Sequence, residues 1–142
     1  MNKAEIAFNT FICSNHGHCN CAQSVLCAFA EDFGMNKGTA LKIAGGFGAG
    51  MGRTQSVCGA VSGAIMAIGL KYGDDTEITY KKVRDFIRKF KEVTGATVCM
   101  DLLNGCNLLT DEGQRSFNEN NMRINNCSEY VKLACNILEE LL

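Results

Sequence analysis

The side chains with most chemistry in this sequence are its nine cysteines. Their number is odd, so they cannot all pair within one chain. Position separates them better than number does. Cys21 directly follows Asn20, a good helix cap. Cys58 falls in the opening turn or so of a helix expected to start near Thr54 or Ser56. Cys99 stands two residues after a second cap candidate, Thr97. Cys127 directly follows Asn126, and Glu129 sits where a capping-box acid would. Four thiols are therefore expected near helix N-termini. Unpaired N–H groups and the helix dipole favour negative charge there. A thiol so placed should lose its proton more easily, and thiolate is the form that attacks disulfides and binds metals.

The other five cysteines read differently. Cys27 and Cys135 lie deep inside expected helices, where cysteine usually acts as a small buried hydrophobe. Cys13 and Cys106 sit in connections, with either role open. Cys19 belongs to His16-x-His18-Cys19-x-Cys21. Histidine and cysteine at such spacing can ligate zinc, but the paired C-x-x-C of structural zinc sites is missing. A solvated loop beside Cys21 is the favoured reading of that stretch.

The elements that must position these thiols read as helices. The chain has 142 residues, the usual length of one domain, and 46% of them are hydrophobic and 20% charged. Proline is absent, so nothing of that kind interrupts a helix. Ile6, Phe8, Phe11 and Ile12 indicate a short first helix. A second runs from Asn20 to about Phe33, stopped at Gly34, and a third covers Asn36 to Ala44. The next helix is expected over about Thr54 to Lys71, before Gly73. It is the most apolar and has the smallest side chains, which marks it as central. Residues 77–94 form the clearest amphipathic pattern. Ile78, Val83, Phe86, Phe90 and Val93 should face inward, and Lys81, Lys82, Arg88 and Lys89 outward. A short helical turn spans about Val98 to Asn104, and a last helix runs from about Asn126 to Leu142. No convincing strand pattern occurs. The expectation is one all-α domain over residues 1–142, a compact bundle of five to six helices.

Between the third helix and the central one lies Gly45-Gly46-Phe47-Gly48-Ala49-Gly50-Met51-Gly52. A phosphate loop fails on spacing: there is no G-x-G-x-x-G, no G-K-S/T and no preceding strand. Backbone that turns sharply and approaches something closely fits better, with bare N–H groups able to face an anion. Gly59, Ala60, Gly63, Ala64 and Ala67 then allow very close packing of the central helix.

In order, the chain carries Asn20-Cys21-Ala22-Gln23-Ser24-Val25-Leu26, then the Gly-rich run, then Cys58-Gly59-Ala60-Val61-Ser62-Gly63-Ala64. Cys99-x-x-Leu102-Leu103 and Cys127-x-x-Tyr130-Val131 follow. This series resembles the redox-active family named for a Cys, Cys-Gly-Ala-x-x-Gly, Cys, Cys signature (C_GCAxxG_C_C), over almost the whole chain. The resemblance implies that Cys21, Cys58, Cys99 and Cys127 are the family cysteines, the four already picked out by helix position. Similar domains are joined to haem-containing modules with which an iron–sulfur centre is associated. That implies a cluster as the leading cofactor. The five extra cysteines depart from the minimal pattern.

Four readings follow. The first is an iron–sulfur protein for electron transfer or redox sensing, since four thiolates are the standard ligand number for a 2Fe–2S or 4Fe–4S cluster. The second is a thiol–disulfide protein without metal, although C-x-x-C and a thioredoxin-like βαβ pattern are absent. The third is a four-cysteine structural zinc site. The fourth is a binding module with buried cysteines. The expected partner is an electron donor or acceptor protein, and a homodimer is left open. A net charge of -1 gives no field for nucleic acid. The longest mostly apolar run, Val57 to Leu70, has 14 residues, short of a bilayer span. With no secretory signal in Met1 to Phe11, a cytoplasmic location is expected, where structural disulfides are rare. No Ser-His-Asp set or paired catalytic carboxylates mark an enzyme.

Overall fold

A computed structural model describes residues 1–12 and 19–142. It contains eight right-handed α-helices among the described residues, more than the five to six expected, and no strand. In chain order they are α1 (Lys3–Ile12), α2 (Cys21–Ala30), α3 (Lys37–Ala44), α4 (Gly59–Tyr72), α5 (Thr76–Thr94), α6 (Cys99–Leu102), α7 (Asp111–Glu119) and α8 (Ser128–Leu141). The extra count comes from α7, which has no apolar stripe of its own, and from the expected short turn after Val98, which forms α6. His16, His18 and Cys13, and any zinc reading built on them, lie outside the described residues.

Local chemistry sets the helix ends. Asn20 caps α2 by a reciprocal box: its Oδ1 accepts from the Gln23 N–H at 2.9 Å, and its own N–H donates to Gln23 Oε1 at 2.9 Å. Asn36 caps α3, Asp75 caps α5 and Thr110 caps α7. Gly34 and Gly95, both with φ in the left-handed region, end the second and fifth helical stretches.

The core is made where α2 lies on α4 and α8 covers both, with α1 against α8 and α5 against α4 and α8. The close approach of α2 and α4 depends on Gly63. A Cβ there would stand 2.7 Å from the Ala22 carbonyl oxygen, which is backbone and cannot rotate away. Ala60, Val61, Ala64, Ala67 and Ile68 of α4 are fully buried, as the small-residue pattern implied. Phe86 and Phe90 stack at 5.9 Å beneath α8, and Phe90 meets the Tyr130 ring at 6.2 Å.

Several boundaries and faces differ from expectation. The central helix begins at Gly59, not near Thr54 or Ser56, because the chain from Ala49 to Arg53 is wound the other way and Gln55 is again left-handed. On α5, Phe86 and Phe90 are buried, but Ile78 and Val93 point to solvent, since only the middle of this long helix is covered. Lys81 and Arg88 are exposed as expected. Lys82 and Lys89 instead lean on α8, donating to the Leu141 carbonyl at 2.8 Å and pairing with Glu140 at 3.1 Å. No helix among the described residues is long and apolar enough to cross a membrane.

Candidate four-cysteine site

Each of the four cysteines stands at a junction between elements. Cys21 is the first residue of α2, and Cys58 is the cap residue of α4. Because those helices touch through Gly63 and Ala22, their starts lie side by side. Cys99 opens α6 directly after Val98, which takes the cap position expected for Thr97. It is held beside Cys58 by a small antiparallel bridge between Val57 and Val98. There the Cys58 N–H donates to the Thr97 carbonyl at 2.8 Å, and the Cys99 N–H donates to the Ser56 carbonyl at 2.7 Å. Cys127 departs from expectation. Asn126 does not start a helix; Arg123–Cys127 is a π-helical turn that runs into α8, so Cys127 lies within a continuous helical path. The Tyr130 hydroxyl, one turn on, donates to the Leu102 carbonyl at 2.9 Å and ties α8 to α6.

All four cysteines line one cavity of about 620 Å³. Among the described residues, no histidine, aspartate or glutamate lines it. Cys19, Cys27, Cys106 and Cys135 are not among its walls, and Cys135 is fully buried in the core as expected of a packing residue. All eight described cysteines carry free thiols. Among the described residues, no group of three or more His, Cys, Asp or Glu side chains is arranged around a point that would hold a metal ion. The thiols surround a space rather than a point.

The Gly-rich segment forms one wall through Gly45, Gly48, Ala49, Gly50 and Gly52. Ala49, Gly50, Met51, Gly52 and Arg53 all have φ between 52° and 69°, a turn of left-handed helix. The Gly52 N–H donates back to the Gly48 carbonyl at 2.9 Å, and the Thr54 hydroxyl bonds the Gly50 and Met51 carbonyls. Left-handed backbone costs about 1–2 kcal/mol for each residue that is not glycine. Gly50 has a further reason to be glycine: a Cβ would lie 2.7 Å from Cys99 Cβ. Strain of this kind collects at functional sites. The close approach expected of this segment is therefore an approach to Cys99.

Electrostatics correct one expectation. Helix starts were expected to release thiol protons, yet burial outweighs the dipole. The Cys58 thiol is pushed up to about 12 by burial, although the N–H groups of Ala60 and Val61 favour its thiolate. Burial likewise raises Cys99 to about 11. Cys21 and Cys127 form a pair. The Cys21 thiol is raised well above its ordinary value by its hydrogen bond to Cys127 and by burial. Cys127 is lowered by accepting that bond, and the Arg123 guanidinium also favours its charge.

Two polar residues of the site were not anticipated. The Arg123 Nη2 donates to the Phe11 carbonyl at 2.7 Å and the Cys19 carbonyl at 3.2 Å, while its guanidinium lies 4.0 Å from the Phe11 ring. It brings positive charge to a cavity that has no carboxylate. A single arginine in the asparagine-rich stretch before Cys127 gives no sequence signal of this. Gln55, buried beside Cys99, follows the glycines and carries no motif.

Residues 19–141 match the family described as "Putative redox-active protein (C_GCAxxG_C_C)". The Cys58-Gly59-Ala60-Val61-Ser62-Gly63 run and all four cavity cysteines lie within that match. The chain is also 32% identical over 132 residues to an "Uncharacterized protein" of Archaeoglobus fulgidus, covering 83% of this chain and 81% of the relative. No solved structure matches it. The chain belongs to the C_GCAxxG_C_C family of redox-active proteins, and the ordered cysteines that carry its resemblance are those that line the cavity.

Proposed function

We propose that Cys21, Cys58, Cys99 and Cys127 together hold an iron–sulfur cluster, and that the protein carries electrons or senses redox state with it. The observation that carries this reading is the donor set. Four thiols from four separate segments line one cavity, three of them buried, and no other metal-ligating side chain among the described residues does. A 2Fe–2S or 4Fe–4S cluster bound there would supply one-electron chemistry. The protein's own part is to bring the sulfurs together, exclude water and offset charge. Arg123 and the first N–H groups of α4 supply positive potential. Because burial holds protons on Cys58 and Cys99, loading the site must release them, so uptake should strengthen with pH.

A second reading is favoured by one observation, the Cys21–Cys127 hydrogen bond. Two thiols in contact are arranged for a reversible disulfide, in which the pair gives two electrons and two protons to an acceptor disulfide, reducing it to two thiols. An electron-exchange protein with an acidic surface is the partner we propose. The outer face of α5, with Lys81, Arg84, Arg88 and Lys91 exposed, would steer it. A reducing cytoplasm would suit so many free thiols. Anaerobic purification tests both readings. Broad visible absorption with iron and acid-labile sulfide is expected. A colourless, iron-free protein whose thiol count rises on reduction would replace the cluster with the disulfide.

A further inference from the structure

The wall of the cavity is of two kinds. One part is buried and carries Cys21, Cys58 and Cys99. The other is exposed to solvent and carries Arg53, at the end of the left-handed turn, with Gln114 and Asn118 of α7. Leu108 joins the two exposed segments. Its N–H donates to Gln55 Oε1 at 2.8 Å, and its carbonyl accepts from Gln114 Nε2 at 3.0 Å. The chain two residues past Arg53 is thus held against α7. Phe117 and Asn118 lie three and four residues past Gln114, on the same face of that helix, and both line the cavity.

The exposed part has its own chemistry. Among the described residues, no ion pair includes Arg53 and no aspartate or glutamate lines the cavity, so its charge meets no acid there. Arg123, the other cation on the wall, is fixed instead by its bonds to the Phe11 and Cys19 carbonyls. Half-buried Phe117 and buried Leu108 add apolar surface. A cluster on the cysteines uses none of Arg53, Leu108, Phe117 and Asn118, which carry no thiolate. A cavity of about 620 Å³ with apolar walls and a few polar groups has the size and make-up of a small-molecule site.

We propose that the exposed part of the cavity binds a small organic carboxylate, its anionic group on the Arg53 guanidinium and the Asn118 amide, and its apolar body on Phe117 and Leu108. A guanidinium meets a carboxylate by two parallel N–H bonds. An inorganic anion would use the guanidinium and leave the apolar wall uncovered. The proposal needs only the cavity, and stands whether the four thiols hold a cluster or form a disulfide.

The test is calorimetric titration of the full chain, purified anaerobically, with benzoate as probe. Benzoate should bind with a dissociation constant on the order of millimolar or tighter. Benzamide, which lacks the charge, and acetate, which lacks the ring, should each bind several-fold more weakly. Arg53→Gln, a change at an exposed side chain, should weaken benzoate about tenfold, the loss of one charge-assisted contact. Phe117→Ala should weaken benzoate more than acetate. Arg115→Gln, exposed on α7 but not on the cavity wall, should leave binding unchanged. No benzoate binding, binding indifferent to Arg53→Gln, or inorganic phosphate bound as tightly as benzoate would overturn the proposal. Iron in the same samples is counted separately, so a failure of the cluster reading and a failure of this one are told apart.

Discussion

Substituting Gly63→Ala should separate the starts of α2 and α4 and disturb the site without touching a cysteine. The new Cβ would lie 2.7 Å from the Ala22 carbonyl oxygen, 3.1 Å from Ala22 Cα and 3.2 Å from Val25 Cβ. The first two obstacles are backbone, so α2 must move as a unit by several tenths of an ångström. Two terms compete. Alanine gains about 1 kcal/mol over glycine in a helix interior, whereas overpacking a tight core costs about 1–3 kcal/mol. With backbone as the obstacle the upper part of that range applies, for a net loss of about 1–2 kcal/mol. At about 2–4 °C per kcal/mol for a chain near this size, the melting temperature should fall by about 2–8 °C. Gly69→Ala is the control. It lies on the same helix, and its Cβ would meet nothing within 4 Å. It should stabilise by about 0.5–1 kcal/mol. Urea titration of both variants decides the matter. If Gly63→Ala is as stabilising as Gly69→Ala, the close contact of α2 and α4 is wrong, and so is the account of how Cys21 and Cys58 meet.

Three further outcomes follow from the same geometry. Asn20→Ala removes the Oδ1 half of the capping box and the bond from Asn20 Nδ2 to the Gly45 carbonyl, leaving the backbone N–H of residue 20 to donate to Gln23; a loss of about 1–2 kcal/mol in urea unfolding is expected, and a change below a few tenths would contradict it. Thiols raised by burial keep their protons in the folded chain after the unfolded chain, with ordinary values near 9.0, has lost them. Cofactor-free reduced protein should therefore be at full stability below about pH 9 and lose it progressively toward pH 12, through Cys58, Cys99 and Cys135; a urea midpoint as high at pH 10 as at pH 7.5 would refute this. Cys135→Ser, fully buried, should cost about 1–3 kcal/mol in the same assay, whereas half-exposed Cys27→Ser should stay within about 0.5 kcal/mol.

The parts of this protein that were readable in the sequence are those set by local rules. Asn20 as a cap, the small-residue face around Gly63, and Gly34 and Gly73 as stops each act through neighbours a few residues away. The gathering of Cys21, Cys58, Cys99 and Cys127 was expected from helix position and from family resemblance, and all four line one cavity. The reason offered from helix position was only partly right. Cys127 sits in a π-helical turn, which no residue pattern announces, and burial reverses the effect of the helix starts on Cys58 and Cys99. The left-handed turn at Ala49–Arg53 was invisible because three of its five residues are not glycine. The turn is closed by its own bonds, from the Gly52, Gln55 and Ser56 N–H groups to the Gly48, Ala49 and Gly50 carbonyls. Helix α7 escaped notice because its exposed polar residues carry no stripe, yet Gln114, Phe117 and Asn118 close one side of the cavity.

The central claim is that four sulfurs share one centre, and iron counting across serine variants tests it most directly. Wild-type protein and Cys21→Ser, Cys58→Ser, Cys99→Ser, Cys127→Ser and Cys27→Ser would be reconstituted anaerobically with ferrous iron and sulfide. Iron and acid-labile sulfide would then be measured per chain. The account predicts bound iron and sulfide in equal amounts in wild type and Cys27→Ser, and a large loss in each of the other four. Equal iron in all six proteins, or none in wild type, would contradict it.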